Sequence, residues 1–556
     1  MKSITAVTGM AAGWIVFSAA AATNYWTATS GTGNWNEPAN WSLGNVPGAS
    51  DTAIITNAAT SGNGYTVEVD QATVNVFRVT CSAPAGQTLT FNVRTNLTVN
   101  NISSSDADWS LGPQGNVSVN VFSNAVLDTY CQILGAGVSN NYTVLPGGTL
   151  KYGAVVNKRF RVFGGLTVQG SVIAASRAGE LVNAYPLVVD GGHLYAVLLT
   201  SPPLLLTNNA SLSYSSMAIA GMTTTMRDGT VTNRASGALH IGGPATGNAS
   251  AFLNLSGGLW RQEGPAYICE RPNGYLDLSG TARFVSTNDV WVGSNNTGSQ
   301  AFLFGYSGFV TVRSGSFIVT NFNGSSRLYL GNITPGYLTC AGGTSAVDRV
   351  VLSNRGNLFG SNAVGRITLA GGRLDILQSL SATNGSYSVL VCSTGTLNVA
   401  NADIANGNAV VIGDGKGSAT LGLLAGAHRF ADGLVITNKA MLAAGGVGAV
   451  ASPAVTGNLA MTEGASLHCD FNAGAGETVT LTGALTLPAQ ATVSLASLDG
   501  SLPNTVVLVA ADSVSAPAGL GGWTVSTVGD VGYRVAVEGT SLVLLKKQKG
   551  TLISVF

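Results

Sequence analysis

The sequence predicts an all-β chain, a right-handed parallel β-helix (β-solenoid) with a cap at each end. Three observations carry that reading. The first is a recurring strand-turn-strand unit. In the stretch 238–262, ALHIGGPATGNASAFLNLSGGLWRQ, an apolar run ends at Ile241-Gly242, a Gly/Asn/Thr turn follows, and a second strand spans 251–255. The unit returns as YICERPNGYLDLSG from Tyr267, VWVGSNNTGSQAFLFGYSG from Val290, LYLGNITPGYLTCAGG from Leu328 and VVIGDGKGSATLGLLAG from Val410. The second observation is alternation: Ala251, Leu253 and Leu255 point one way, and Phe252 and Asn254 the other. The third is the period. The residue after the first strand falls at Gly242, Cys269, Gly293, Gly331 and Gly413, with first steps of 27 and 24 residues. A period in the twenties with strand content means coils that bury their apolar faces only against their neighbours. The Leu-x-x-Leu-x-Leu-x-x-Asn frame of leucine-rich repeats is missing, and no helical pattern alternates with the strands.

Four segments follow in order. Residues 1–22 read as a signal peptide: Lys2, an apolar run over Ala6–Phe17, then small residues suited to cleavage near Ala22. An uncleaved anchor is the competing reading, for which the run is short and broken by Thr8 and Gly9. Residues 23–66 hold Trp26, Trp35 and Trp41 among Gly, Pro and Asn turns. A solenoid's first coil exposes strand edges and an open core, and large aromatics with polar handles suit its covering. The alternative for these tryptophans is a sugar-stacking platform. Residues 67–500 are short strands and turns, as at Leu97–Val99, Leu166–Val168, Leu374–Ile376 and Leu397–Val399, with Gly445–Pro453 as a kink or loop. Residues 501–556 carry longer strands at Val506–Ala510, Tyr533–Val537 and Leu542–Leu545 as the closing cap, followed by Lys546, Lys547 and Lys549.

The opening block resembles that of large bacterial secreted β-helical repeat proteins with autotransporter-associated β-strand repeats. The residues that carry the resemblance are Gly33-Asn34-Trp35, Asn40-Trp41-Ser42-Leu43-Gly44, Pro47, and Asp51, Ala53 and Ile55. The turns Gly147-Gly148-Thr149-Leu150, Gly191-Gly192-His193-Leu194 and Gly371-Gly372-Arg373-Leu374 fit the same family. The resemblance implies an exported, passenger-like protein of the cell surface. No translocator barrel of many alternating strands follows the repeats in this sequence, which departs from an autotransporter.

Composition sets further bounds. Charged residues are only 9% while apolar ones are 45%, which gives a packed chain rather than a disordered one. Lys plus Arg and Asp plus Glu are equal at 26 each, so no global charge favours nucleic acid. The six cysteines lie far apart. Cys340 takes the slot of Leu278, and Cys392 precedes its turn as Leu369 does, so they read as small buried hydrophobes rather than disulfides.

The inventory for chemistry is thin, and no catalytic residue, metal site or cofactor is assigned. His193, His240, His428 and His468 sit on separate coils, and His468 with Asp470 reads as an outward-facing, solvated pair. The strings 413–418 and 446–448 read as solenoid turns rather than phosphate loops. Arg261, Glu263, Glu270, Arg271, Asp277 and Arg283 form the best candidate cluster, with a surface salt-bridge ladder as its ordinary reading. A β-helix polysaccharide lyase or glycoside hydrolase acting near Glu263 and Glu270 is the enzymatic alternative. Charge is uneven along the chain: between residues 301 and 373 lie Arg313, Arg327, Arg349, Arg355, Arg366 and Arg373 against Asp348 alone. Arg327, Arg349 and Arg373 are about one coil apart, so they are expected to form a ladder whose guanidinium forks match the carboxylates or sulfates of an acidic polysaccharide. The leading expectation is therefore an exported, non-enzymatic β-solenoid, adhesin-like and located at the cell surface, with polysaccharide as partner.

Overall fold

The computed structural model describes residues 21–547, except 72, 100–108, 112–114, 130–132, 136–139, 153–158, 163–164, 175–179, 184–186, 201–202, 220, 235–236, 243–248, 270–272, 294–305, 353–362, 384, 473–474, 500–502 and 528–531. For strand residues 109–111, 133–135, 159–162 and 180–183 only the backbone is described. The signal peptide reading, Cys131, Glu270, Arg271, Arg355 and Lys549 thus fall outside the described residues.

The chain is a parallel β-solenoid, nearly all strand. Each coil visits three faces. Face I holds Leu239–Ile241, Ala266–Ile268, Val290–Val292 and Arg327–Leu330; face II holds Ala251–Leu255, Gly274–Leu278, Gly308–Val312 and Gly336–Cys340. Face III holds Leu259–Gln262, Arg283–Ser286 and Ser316–Val319, then the first half of Thr344–Leu352. Every strand pairs in parallel with the equivalent strand of the next coil, so identical positions stack into columns. One inward column on face II runs Leu255, Leu278, Val312, Cys340, Leu369, Cys392 and Ile412. One on face I runs Ile219, Ile241, Ile268, Val292, Leu330 and Leu352. These residues are all essentially inaccessible. Each such side chain contributes about 1.5–3 kcal/mol when fully buried, and only the neighbouring coils can bury it.

The columns settle the cysteines. Cys340 and Cys392 do occupy leucine slots, separated by Leu369. Cys81, Cys269, Cys340, Cys392 and Cys469 are free and buried. Burial pushes the Cys340 thiol up to about 11 and the Cys392 thiol up to about 12, so both stay protonated and unreactive.

The columns also correct the repeat register. The step of 38 residues to Gly331 is one coil, since Val290 pairs directly with Leu328, and the extra length lies in the connection after Val292. Gly413 is not the next equivalent of Gly331. It follows Val410–Ile412, which continue face II through Cys392, so it marks a different corner. Periodicity alone cannot distinguish two Gly-marked corners of the same coil.

The corner from face I to face II explains the glycines. Gly242, Cys269, Gly293 and Gly331 stack there with φ of 79°, 77°, 92° and 72°, a left-handed region that only glycine enters without strain. The strand beyond approaches so closely that a Cβ on Gly336 would lie 2.0 Å from the Val292 carbonyl oxygen and 2.4 Å from the Gly331 nitrogen. Gly336→Ala therefore has to displace backbone. It is expected to cost about 3 kcal/mol, read as a lower denaturation midpoint, and an unchanged midpoint would refute this account of the corner.

At the N-terminal end the tryptophans are core. Trp26, Trp35 and Trp41 are buried, with Trp41 packing edge-on against both Trp26 (5.1 Å between centroids) and Trp35 (4.7 Å). Trp35 reaches Phe91, 5.9 Å away, and the Trp41 indole N–H donates to the Trp35 carbonyl at 2.7 Å. The block is also in register with the coils, for Thr23–Tyr25 pairs with Thr52–Ile55 and Thr32–Asn34 pairs with Thr66–Glu68. Buried rings cannot stack on a sugar, so the platform alternative is excluded for these three. At the other end Thr505–Ser515 continues the parallel ladder along one edge. Ser541–Lys546 then pairs antiparallel with both Thr505–Ser515 and Tyr533–Glu538, closing the stack.

Candidate functional site

The expected three-arginine ladder is only two residues long. Arg327 pairs in register with Arg349 on face I, where both begin their strands. The next position in that column is Ser379, not an arginine. Arg373 lies on face III, in register with Thr344 and Thr396. The reason is Thr344–Leu352, which turns the corner in one strand with a register shift between Val347 and Arg349. A coil with this tight corner is shorter than its neighbours, so equal sequence spacing does not mean equal position.

The partners of the arginines separate them further. Arg373 is ion-paired with Asp375 at 2.8 Å, and Arg313 with Asp277 of the preceding coil at 3.0 Å. Arg94, Arg261 and Arg429 likewise hold Glu68, Glu263 and Asp403. Arg327 and Arg349 form no ion pair among the described residues. The Arg327 guanidinium donates to the Tyr329 hydroxyl at 2.8 Å, and Arg349 Nε donates to the Gly324 carbonyl at 3.1 Å. Two carboxylates lie nearby but are held by backbone: Asp289 accepts from Arg327 N at 2.9 Å, and Asp348 from Asn321 N at 2.9 Å. Burial raises the Asp289 carboxyl, with the Arg327 charge opposing it. Like charges directly opposite each other in a ladder repel, and nothing described bridges this pair.

The corner beside them projects outward. Between Ser316–Val319 and Arg327–Leu330 the chain makes a loop in which Asn321 Oδ1 accepts from the N–H groups of Asn323 (3.1 Å) and Ser325 (2.9 Å). Gly324 closes the loop at φ 61°. Phe322 at its tip is fully exposed.

Other expectations are resolved residue by residue. Arg261 and Glu263 form a surface ion pair at 3.4 Å, which by itself contributes little. Asp277 sits on face II and belongs to Arg313, while Arg283 is on face III, so the six-residue cluster is not one site. The turn at 413–417 is closed by Asp414 Oδ1, which accepts from Lys416 N at 2.8 Å. No group of three or more His, Cys, Asp or Glu among the described residues could hold a metal ion, and no helix there is long and apolar enough to cross a membrane.

His468 and Asp470 are not solvated. They leave the strand Ala465–Asn472 on its outer side, as alternation requires, yet both are buried. The loop at 445–453 folds over them: Gly448 N donates to Asp470 Oδ2 at 2.7 Å. A short antiparallel hairpin, Phe471 with Gly476, brings in Glu477, whose carboxylate accepts from Asp470 N (2.8 Å) and Ala451 N (3.1 Å). His468 Nε2 lies 3.3 Å from Asp470 and its Nδ1 lies 3.3 Å from Ser494 Oγ. A Ser–His contact of the same kind recurs between His193 and Ser211 at 3.0 Å. Both follow from register stacking, so this arrangement does not single out a nucleophile.

Two outward aromatic columns escaped the sequence reading. On face II Phe252, Tyr275, Phe309 and Tyr337 stack at 4.7, 4.8 and 5.0 Å with nearly parallel rings. On face I Trp291 stacks on Tyr329 at 3.7 Å, below which lies Arg327. The signal was present as an aromatic at the second position of AFLNL, GYLDL, GFVTV and GYLTC. Rings stacked along the axis cover one another's faces and turn their edges to water, so these ladders tie coils together, at about 0.5–1.5 kcal/mol per pair, and offer little flat surface to a ligand.

No protein-family model and no curated protein matches the chain. The class of molecule is thus defined by the fold alone, a parallel β-solenoid.

Proposed function

We propose that this chain is an exported, non-enzymatic β-solenoid of the cell surface, adhesin-like, that contacts acidic polysaccharide through Arg327 and Arg349. The observation that carries the contact is the unpaired, in-register arginine pair, against five other arginines that each hold a carboxylate. An anion placed between the two guanidinium groups relieves their repulsion, and the planar fork matches a carboxylate or sulfate in two hydrogen bonds. Export rests on the signal-like residues 1–22, and the surface role on the resemblance of the Trp-rich opening to secreted passenger proteins.

The test is retention of the mature chain by polygalacturonate in affinity electrophoresis. Binding is expected at low salt and should weaken as salt rises. Arg327→Ser/Arg349→Ser is expected to weaken it roughly tenfold or more, whereas Arg373→Ser, whose side chain is already paired with Asp375, leaves it unchanged. Absence of binding at low salt, or equal loss in the Arg373→Ser variant, overturns the assignment. Cell fractionation tests the location: recovery of the chain only inside the cell rules out the surface role.

A further inference from the structure

The Asn321–Ser326 loop is held rigidly, yet it presents a phenylalanine wholly to water. A large apolar side chain in that position gains nothing from burial, whereas ordinary solenoid corners carry Gly, Asn and Ser. Its surroundings are specific. Arg349 Nε binds the Gly324 carbonyl, and the Gln378 amide of a later coil lies so close that a Cβ on Gly324 would meet its nitrogen at 2.9 Å. Leu377, next to Gln378, is a second exposed apolar side chain at the same corner. Arg327 opens the strand that leaves the loop. One corner therefore gathers an aromatic ring, an aliphatic side chain, an amide and two guanidinium groups without ion-pair partners.

We infer that this corner is a subsite for one acidic sugar unit of the polysaccharide, with Phe322 covering a face of the pyranose ring and Arg327 and Arg349 holding its carboxylate. The inference rests on the polysaccharide reading given above and adds the demand for a sugar ring to the demand for negative charge. The chemistry divides cleanly. A pyranose presents C–H bonds on its ring faces and polar groups around its rim. An aromatic ring with both faces free can pack against those C–H bonds, while neighbouring cations and an amide meet the rim. Phe322 has that freedom, unlike Phe252, Tyr275, Phe309 and Tyr337, whose faces are covered by stacking. The local charge supplies the complementarity: Asp289 and Asp348 are engaged by backbone N–H groups, which leaves the guanidinium pair to face an incoming anion.

The experiment compares two polyanions, polygalacturonate and polyacrylate, on the mature chain and on Phe322→Ala and Arg327→Ser/Arg349→Ser variants. The wild type should bind both. Phe322→Ala should lose roughly tenfold toward polygalacturonate, the size of one aromatic contact, and nothing toward polyacrylate, which has no ring. The double arginine variant should lose both. If the wild type binds both polymers and Phe322→Ala behaves like the wild type, the subsite falls while the polysaccharide reading stands. If the wild type binds neither, both fall. Sedimentation of the same proteins checks a second copy of this chain as occupant. Self-association that Phe322→Ala abolishes, with polygalacturonate binding intact, assigns the ring to a contact between copies and overturns the subsite.

Discussion

Trp35→Ala is expected to destabilise the N-terminal coils by about 3–5 kcal/mol, the range for removing a buried large aromatic. Trp35 touches Trp41 and Phe91, and Trp41 in turn touches Trp26, so one ring links the opening block to the coil of Thr88–Val93. The loss should be local. Each coil of a solenoid contacts only its neighbours, so stability is close to a sum along the axis. Hydrogen exchange should show lost protection over residues 23–93 while Gly274–Leu278 and Gly336–Cys340 remain protected. Uniform loss along the chain would contradict this picture, as would no loss at the cap.

The second large effect is expected with pH at the buried acidic cluster. Burial is the main cause that raises the Glu477 carboxyl from 4.5 to about 8, against the lowering effect of its hydrogen bonds from Asp470 N and Ala451 N. The folded state then holds its proton more tightly than the unfolded chain. Stability is fully present below about 4.5 and falls as pH rises toward about 8, where the folded carboxyl also ionises. Around Glu477 the described titratable groups are Asp470, His468 and Cys469. Burial pushes the Cys469 thiol up to about 12, which keeps it neutral across that window. Ionised Glu477 therefore joins Asp470 with His468 as the one cationic partner among them, and the segment that it fastens should loosen. Amide exchange at Gly448 and Ala451, corrected for intrinsic rates, should accelerate more than elsewhere between pH 5 and 8. Glu477→Gln should flatten the pH dependence. Protection that does not change with pH in the wild type would sink the proposal.

The sequence by itself determined the architecture, because a solenoid writes its fold in period and alternation. Leu253, Leu276, Val310 and Leu338 recur at one inward position, and their columns are those of the structure. Slot equivalences were legible at single-residue level: Cys340 for Leu278 and Cys392 for Leu369. The Trp-rich opening was legible as a cover for the first coil, since three indoles in a short stretch have few other ways to be satisfied.

What the tertiary structure decided is how the coils align at their corners. A strand that bends at Asp348 in one coil lies against a seven-residue loop, Thr320–Ser326, in the coil before it. That difference moved Arg373 off the column of Arg327 and Arg349 and carried Phe322 out beside them. The same kind of excess chain, at 445–453, covered His468 and Asp470, which alternation alone directs toward water. Alternation states which side of a strand a residue leaves. Whether water is there depends on a segment many residues away, and its placement follows from packing between coils rather than from any local pattern.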